Sequence, residues 1–526
     1  MATSRLEPDT TSAEALQPYN LRRYAVPALL GLFCLCFLTG ALRSAAKTPL
    51  WMDEILAMWV VRLPTYRQVW SAVFHGSETS PPTYHLFMHF VRSILGDSYA
   101  VYRLPSILAA LVSGLCLFAL LRRYLDSAAA AYGMAFSLLG VLAWFATQAR
   151  PYTFVAACFA GAILLWDGVE MQRPKLWRIA VMTALLIFAI YLHFYATLLV
   201  PCLGAMELLW SALHRRLRIS VWLGLFLAGL SSFVWLPFIR VHSSLNASDT
   251  GSAGYYAKPT FDKLFHAYVD LAIFDKKQLL FLIATFIILG AVAALNQLRW
   301  SSWRPLTPAA SPYRSSSNFY IITLCTIAFP LLVFAFALFV TKTFNLRYAL
   351  ITTFGFACLL AYVFNSVPAF KSAAGAILLA ACPLAFLSAP AWGDSIPEQV
   401  SLFREASKPY PIVVGEGRLF FEMAEALPKP IKSRLVYVDT PPGTKDPDPT
   451  NEHLVDRWRL IRPDLTVMSA PDFFAKYPHF YLFHTSSSAD VITTWLGKRH
   501  LIDGPVAMKG DATLFEAEAP KSAADR

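Results

Sequence analysis

Long apolar runs occupy most of the chain, and short polar or basic segments separate them. A helix that crosses a bilayer needs about 20 mostly apolar residues, so the runs predict about 11 transmembrane helices. The predicted spans are 25–42, 101–121, 129–147, 152–166, 178–193, 195–210, 220–238, 278–297, 319–340, 346–364 and 372–391. The first run is too long for a removable signal peptide. We expect it to remain as an anchor that follows a cytoplasmic amino-terminal segment, residues 1–24.

Beyond residue 391 the apolar runs become short and alternate with amphipathic stretches. Three runs predict buried strands, at 411–414, 434–438 and 479–483. Helical segments are predicted between and after them, at 417–427, 450–461, 471–477 and 487–497. Strands that alternate with helices are typical of a largely parallel sheet. The predicted fold class is therefore a polytopic α-helical membrane protein with a C-terminal soluble α/β domain over residues 392–526.

Composition excludes several broad classes of protein. The 526 residues are 56% hydrophobic and only 15% charged, and the mean hydropathy is +0.48. So much apolar surface excludes a soluble globular enzyme, a disordered scaffold and a coiled-coil rod. Residues 1–391 carry 29 Lys and Arg against 15 Asp and Glu, whereas residues 392–526 carry 16 against 19. Because the basic surplus lies between apolar runs, it indicates membrane orientation and not nucleic-acid binding.

The short connections between the spans predict the orientation. Connections on one side contain twelve Lys and Arg, while those on the other contain three, namely Arg150, Lys342 and Arg347. Short cytoplasmic loops are the basic ones, so the amino terminus is predicted inside and residues 392–526 outside the cell's inner (plasma) membrane. Two long loops, 43–100 and 239–277, then lie on the outer face. Aromatic stretches at 55–61, 66–74 and 82–95 predict helices that lie in the plane of the outer interface.

Five polar features fall on this predicted outer face. An acidic pair, Asp53-Glu54, begins the first interfacial helix, and a double proline at 81–82 follows Glu78 and precedes Tyr84-His85. The remaining features are the hairpin Gln148-Ala149-Arg150-Pro151-Tyr152, the turn His193-Phe194-Tyr195 and the span start Asn345-Leu346-Arg347-Tyr348. Each also has a structural interpretation: acids favour the first turn of a helix, arginines extend to headgroups, and aromatic residues form interfacial belts.

Taken in order along the chain, these motifs and Arg103-Leu104-Pro105-Ser106 resemble those of the GT-C membrane glycosyltransferases. The similarity extends over roughly residues 20–365. The nearest group is the Rgt-like lipopolysaccharide-core glycosyltransferases, related to lipid A aminoarabinose transferase and protein O-mannosyltransferases. The resemblance implies a GT-C-like domain over residues 25–391. It also implies inverting transfer of a sugar from a polyprenyl-phosphate donor to a glycolipid, polysaccharide or protein acceptor on the outer face.

The resemblance also implies residue roles. Asp53 would be the catalytic base and Glu54 a helper that orients it or the acceptor. A base held at a low-dielectric interface is expected to have a raised pKa. Residues assigned to the substrate or the donor phosphate are Arg150, Arg347, His193, Tyr152, Tyr348, Glu78, Tyr84 and His85, with Arg150 expected to matter less than Arg347 because its hairpin is more exposed. No cofactor is certain, and a divalent metal ion on Asp53 and Glu78 stays open.

Two other function classes stay open on the sequence alone. A lipid or polysaccharide transporter or flippase would need ionisable residues within its spans, and Glu207 is the one acid inside a predicted span. A membrane sensor would bind its ligand through residues 392–526. The enzyme interpretation requires Asp53, Arg150, His193 and Arg347 to gather around one outward cavity.

Overall fold

The computed structural model describes residues 18–169, 175–245, 255–299, 317–387, 396–441, 444, 450–459, 461–486 and 490–520. Most of the predicted cytoplasmic segment 1–24 lies outside these residues, as does the predicted start of the C-terminal domain near residue 392. The first described helix begins at Pro18 and continues to Lys47. The loop predicted on the outer face therefore begins about one helical turn later than the predicted residue 43.

Helices form wherever the sequence predicts a span. Six helical segments are long and apolar enough to cross a membrane, and five shorter apolar helices accompany them. The number that cross stays a prediction. The α-helices up to residue 386 are α1 Pro18–Lys47, α2 Met52–Val61, α3 Tyr66–Ala72, α4 Pro82–Leu95, α5 Tyr99–Leu121, α6 Ser127–Leu139, α7 Val141–Ala146, α8 Tyr152–Asp167, α9 Leu176–Leu192, α10 Leu199–His214, α11 Ile219–Ser231, α12 Leu236–Leu245, α13 Phe261–Ala272, α14 Lys276–Arg299, α15 Ser317–Phe336, α16 Thr352–Asn365 and α17 Phe370–Phe386.

Small residues set the packing at the centre of the bundle. Every residue of α6 from Ala129 to Leu139 is buried, and small side chains let neighbouring helices approach closely. The predicted span 129–147 is broken at Gly140 into α6 and α7. A Cβ at Gly140 would lie 2.6 Å from the Gln278 amide nitrogen. Glycine therefore permits the close approach of the α14 side chain at this break.

The loop that follows α1, predicted to lie on the outer face, is more deeply packed than its sequence predicts. Residues 55–61 were expected to lie in the interface plane, but the structure buries every residue of α2 from Glu54 to Val61. A helix that is hydrophobic all round is stable only when it is surrounded. Helix α2 contacts α4 of the same loop and a helix of the C-terminal region. The prediction of an interfacial α2 is thus wrong, and the helix that carries Asp53 is a core element.

The C-terminal region is built around one six-stranded sheet. Its elements are α18 Ile396–Leu402, β1 Ile412–Val414, α19 Gly417–Ala426, α20 Lys429–Lys432, β2 Leu435–Val438, α21 Thr450–Arg459, β3 Thr466–Met468, α22 Ala470–Lys476, β4 His479–Thr485, α23 Val491–Gly497, β5 Ile502–Lys509 and β6 Ala512–Glu518. The strand order is β3-β2-β1-β4-β6-β5. The first four strands are mutually parallel, while β6 and β5 run antiparallel to their neighbours.

The three predicted strands are β1, β2 and β4, and three further strands were missed. Strand β3 has only three residues, none of them fully buried. Strand β5 is mostly exposed and contains Gly504 and Pro505, so it lacks the apolar alternation by which strands are recognised. The solubility of this domain and its position outside the membrane stay predictions.

Candidate active site

Asp53 and Arg347 form an ion pair between two elements far apart in the chain. Asp53 is the second residue of α2, and Arg347 lies in a 3₁₀ turn at Leu346–Ala349. The Arg347 guanidinium donates to Asp53 Oδ2 at 2.7 Å, and the side chains are 14% and 17% exposed. The predicted base is therefore in direct contact with one of the two arginines predicted to bind phosphate.

The electrostatics of Asp53 differ from the expectation. Burial alone would raise its pKa, but the positive charges of Arg347 and Arg150 outweigh burial and lower the pKa below its usual value. An adjacent cation favours the ionised form of a carboxyl group. The expected raised pKa is thus wrong for the enzyme without substrate, in which Asp53 is a stably ionised carboxylate.

Arg150 connects Asp53 to Glu78. Its guanidinium donates to the Asp53 backbone oxygen at 2.9 Å and to Glu78 Oε1 at 3.0 Å. The Arg150 side chain is only 7% exposed, so the predicted exposed hairpin is instead enclosed. Burial raises the pKa of Glu78, the positive charge of Arg150 offsets only part of this rise, and the negative charge of Asp53 adds to it.

Glu54 faces away from the pocket and into the protein interior. Its two carboxylate oxygens accept hydrogen bonds from Arg103 at 2.8 and 2.5 Å, and the Ala149 N–H donates to it at 2.6 Å. Both Glu54 and Arg103 are fully buried. An acceptor molecule has no access to this carboxylate, so Glu54 can orient Asp53 only by fixing the start of α2.

Arg103 was predicted as part of a motif that enters a span, but its pairing with Glu54 was not predicted. The available signal was the arginine itself, because an arginine near the membrane interior requires an acidic partner. Arg103 also donates to the backbone oxygens of Ala45, Thr48 and Pro49, so it joins the end of α1 to the start of α2.

An aromatic pocket adjoins the Asp53–Arg347 pair. Its lining includes four of the predicted residues, namely Tyr152, His193, Arg347 and Tyr348. The Arg347 guanidinium lies over the rings of Tyr152 and Tyr348, at 5.6 and 5.7 Å from their centroids. The His193 ring lies 5.5 Å from Tyr152 and 5.4 Å from Tyr348. Of the four residues that the enzyme interpretation required around one cavity, His193 and Arg347 line this pocket. Asp53 adjoins it through Arg347, and Arg150 contacts the Asp53 backbone.

Tyr195 completes the pocket and was not predicted as a site residue. Its ring stacks on Tyr348 at 3.7 Å, and its hydroxyl donates to the Thr343 backbone oxygen at 2.6 Å. These contacts hold Tyr348 beside Arg347. Tyr195 lies within the His193-Phe194-Tyr195 turn of the sequence analysis, so the motif was found but its last residue was not assigned.

Tyr84 and His85 are buried and lie outside the pocket lining. Tyr84 is 1% exposed and His85 is fully buried. Burial and the nearby Arg150 charge lower the pKa of His85 to about 3, so its ring is neutral. The structure encloses both residues. Their direct contact with substrate stays a prediction.

The carboxylates considered for a metal ion are paired with guanidinium groups. Glu78 binds Arg150 and Asp53 binds Arg347. Among the described residues, no group of three or more His, Cys, Asp and Glu side chains is arranged to hold a metal ion. A divalent metal ion on Asp53 and Glu78 stays a prediction, because Mg²⁺ can be held by one or two carboxylates while water and phosphate oxygens complete its coordination.

Comparison with known proteins gives a family match and a shared fold. Residues 79–239 match the family model described as dolichyl-phosphate-mannose-protein mannosyltransferase. No curated protein matches the sequence. ArnT from Cupriavidus metallidurans bound to undecaprenyl phosphate superposes with a TM-score of 0.53 at 11% identity, over 93% of this chain and 98% of that chain. The same protein in the apo state gives 0.44 at 13% identity, over 94% and 98% of the two chains.

A third solved structure is that of a longer chain. The oligosaccharyltransferase of Archaeoglobus fulgidus in its apo form gives a TM-score of 0.44 at 10% identity, over 91% of this chain and 71% of that one. The likeness to undecaprenyl-phosphate-bound ArnT establishes the fold, and the family match covers the segment from Thr79 through the Arg150 and His193 motifs. Together they confirm the resemblance found in the sequence, and the chain is a membrane glycosyltransferase of the GT-C fold class.

Proposed function

We propose that the protein transfers a sugar from a polyprenyl-phosphate carrier to a glycolipid, polysaccharide or protein acceptor on the outer face of the plasma membrane. The observation that carries this proposal is the ion pair of Asp53 and Arg347 at an aromatic pocket. Sugar transfer from a phosphate carrier requires a base for the acceptor hydroxyl and a cation for the departing phosphate. Asp53 and Arg347 are groups of these two kinds, and they are in contact. The likeness to ArnT bound to undecaprenyl phosphate supports the same kind of donor.

The reaction proceeds by one displacement at the anomeric carbon. The acceptor oxygen forms a bond to that carbon, and the bond to the donor phosphate breaks with its electron pair going to the phosphate oxygen. The acceptor proton passes to the Asp53 carboxylate, which acts as general base. A single displacement inverts the anomeric configuration.

Arg347 acts on the leaving phosphate. Negative charge on the phosphate oxygens grows as the glycosidic bond breaks, so a fixed guanidinium stabilises the transition state more than the ground state. The Arg347 Nε–H is buried and has no hydrogen-bond partner among the described residues, so it is available to the phosphate while the terminal nitrogen contacts Asp53. A bound phosphate would also offset the charge that lowers the Asp53 pKa, which makes the carboxylate a stronger base once the donor is present.

The competing transporter interpretation depended on Glu207 as an ionisable residue within a span. Glu207 accepts hydrogen bonds from Arg218 at 3.0 and 2.5 Å and from the Trp166 indole at 2.8 Å. A fully buried and fully paired carboxylate is a structural ion pair and not a site that exchanges a substrate or a proton.

Transfer of a radiolabelled sugar from polyprenyl phosphate to membrane acceptors tests the proposal directly. We expect labelled product with the wild-type enzyme and a loss of about 10²–10⁴-fold with Asp53→Asn, which keeps the shape of the side chain and removes the base. The matched control is Asp262→Asn, because Asp262 is 79% exposed and lies outside the site. Equal transfer by both variants would remove Asp53 from the mechanism, and absence of transfer by the wild type from every polyprenyl-phosphate sugar would refute the donor class.

A further inference from the structure

The C-terminal domain contacts α2, the helix that carries Asp53, through hydrogen bonds and an ion pair. One carboxylate of α19, that of Glu425, accepts a hydrogen bond from the Trp59 indole at 2.8 Å and an ion pair from Arg62 at 2.7 Å. Trp59 belongs to the last turn of α2, and Arg62 directly follows that helix. Hydrogen bonds with an ionised partner are about twice as strong as neutral ones, so this is a strong link between regions 363 residues apart in the chain.

Aromatic contacts surround the same tryptophan. The ring of Trp59 packs edge-on against Phe421 and Trp458, with centroids 5.7 and 5.5 Å apart. The Arg462 guanidinium lies 4.1 Å from the Trp59 ring centroid. Trp59 is only 2% exposed. Three side chains of the C-terminal domain therefore enclose one side chain of the outer loop.

A second acid of α19 reaches the opposite end of α2. Glu422 is 6% exposed and interacts with the backbone of Met52, the residue immediately before Asp53. Glu422 and Glu425 are three residues apart, so they lie on the same face of α19. That face runs along α2 from its first residue to its end.

Two anchors are needed to fix the direction of a short helix. The Glu54–Arg103 pair fixes the start of α2 within the membrane domain. At the other end, the His89 ring of α4 contacts the Val61 backbone oxygen at 2.9 Å, and the C-terminal domain adds the Glu425 contacts to Trp59 and Arg62. Asp53 and Trp59 are six residues apart, which is about 9 Å along the axis. We infer that Glu425 is a positioning residue, and that α19 of the C-terminal domain fixes the axis of α2 and thereby aims the Asp53 carboxylate at the acceptor hydroxyl. This inference rests on the proposed function of Asp53.

The inference predicts an effect on turnover and not on donor binding. Catalytic groups must be held within about 10–20° of their productive orientation, and a small misplacement can cost up to about 10²-fold in rate. Glu425→Ala should lower kcat by roughly tenfold. The donor KM should change by less than about twofold, because no described residue of the C-terminal domain lines the pocket around Arg347 and Tyr152. Glu425→Gln keeps an oxygen for Trp59 and should restore part of the rate.

The experiment compares purified full-length variants in the labelled-sugar transfer assay, with rates normalised to folded protein by thermal unfolding. Glu516→Ala is the matched control, because it breaks an ion pair of 2.5 Å with Lys408 in the same domain, where both side chains are part-exposed. Trp59→Phe removes the indole donor and provides a second test. The double variant Trp59→Phe/Glu425→Ala should be no slower than the slower single variant, because both changes break one link.

The outcomes separate this inference from the proposed function. If Asp53→Asn is inactive while Glu425→Ala and Trp59→Phe keep the wild-type kcat, the positioning role is refuted and the function of Asp53 stands. Multiplicative losses in the double variant, or a donor KM that rises with unchanged kcat, would also overturn the inference. If Asp53→Asn itself is fully active, Asp53 is not the base, and the positioning role fails with that assignment even though sugar transfer stands.

Discussion

Arg347 offers the sharpest test of how the site stabilises the leaving phosphate. Arg347→Ala removes a guanidinium that contacts Asp53 at 2.7 Å and lies over two tyrosine rings. At about 4 Å and an effective dielectric constant near 20, two unit charges interact by about 4 kcal/mol. If between half and all of a unit charge develops on the phosphate, the transition state loses about 2–4 kcal/mol, or roughly 30- to 10³-fold in rate.

Arg347→Lys should be less impaired than Arg347→Ala. Lysine keeps the charge but loses the planar fork and the stacking on Tyr152 and Tyr348, so we expect a loss of roughly tenfold in kcat with a raised donor KM. The assay is steady-state sugar transfer from the labelled donor, with donor concentration varied. Arg240→Ala is the control, because Arg240 is an exposed arginine of α12.

Arg347→Ala should also shift the pH profile of the reaction in a definite direction. Arg347 lowers the pKa of Asp53, so its removal must raise that pKa. The base is active when ionised, and the acidic limb of kcat/KM should therefore move to higher pH in Arg347→Ala. Wild-type kcat, donor KM and pH profile in purified Arg347→Ala would refute the phosphate assignment, and His193 or Lys342 would become the better candidate.

Three further predictions follow from the contacts around the site. Glu54→Gln leaves the buried Arg103 without its counter-charge, so the variant should lose about 3–5 kcal/mol of stability, measured as a lower Tm and a smaller yield of folded protein; an unchanged Tm would contradict the structural role of this pair. Arg150→Ala should impair transfer at least as much as Arg347→Lys and also lower the Tm, because Glu78 would be left unpaired in a buried position; wild-type transfer with an unchanged Tm would contradict this role of Arg150. A reporter fused after Arg526 should be active outside the cytoplasm, as the Lys and Arg distribution predicts, and cytoplasmic activity would refute the orientation.

The amino-acid sequence by itself determined the helical character of the predicted spans and selected Asp53 and Arg347 as candidate site residues. Span length and hydrophobicity are local properties, so each predicted span coincides with a helix or with two consecutive helices. Asp53 and Arg347 could be selected because charged residues beside apolar runs are few. The strands β1, β2 and β4 were predicted for the same reason, since each is a short run of buried apolar residues.

The tertiary structure alone decided which of these residues meet. Asp53 and Arg347 are 294 residues apart, and only the packing of the bundle brings their charges together and reverses the expected direction of the Asp53 pKa shift. Residues 55–61 were predicted to form an interfacial helix, yet α4 and the C-terminal domain cover α2. Ion pairing, burial and pKa depend on which distant elements become neighbours, and local periodicity contains no information about those neighbours.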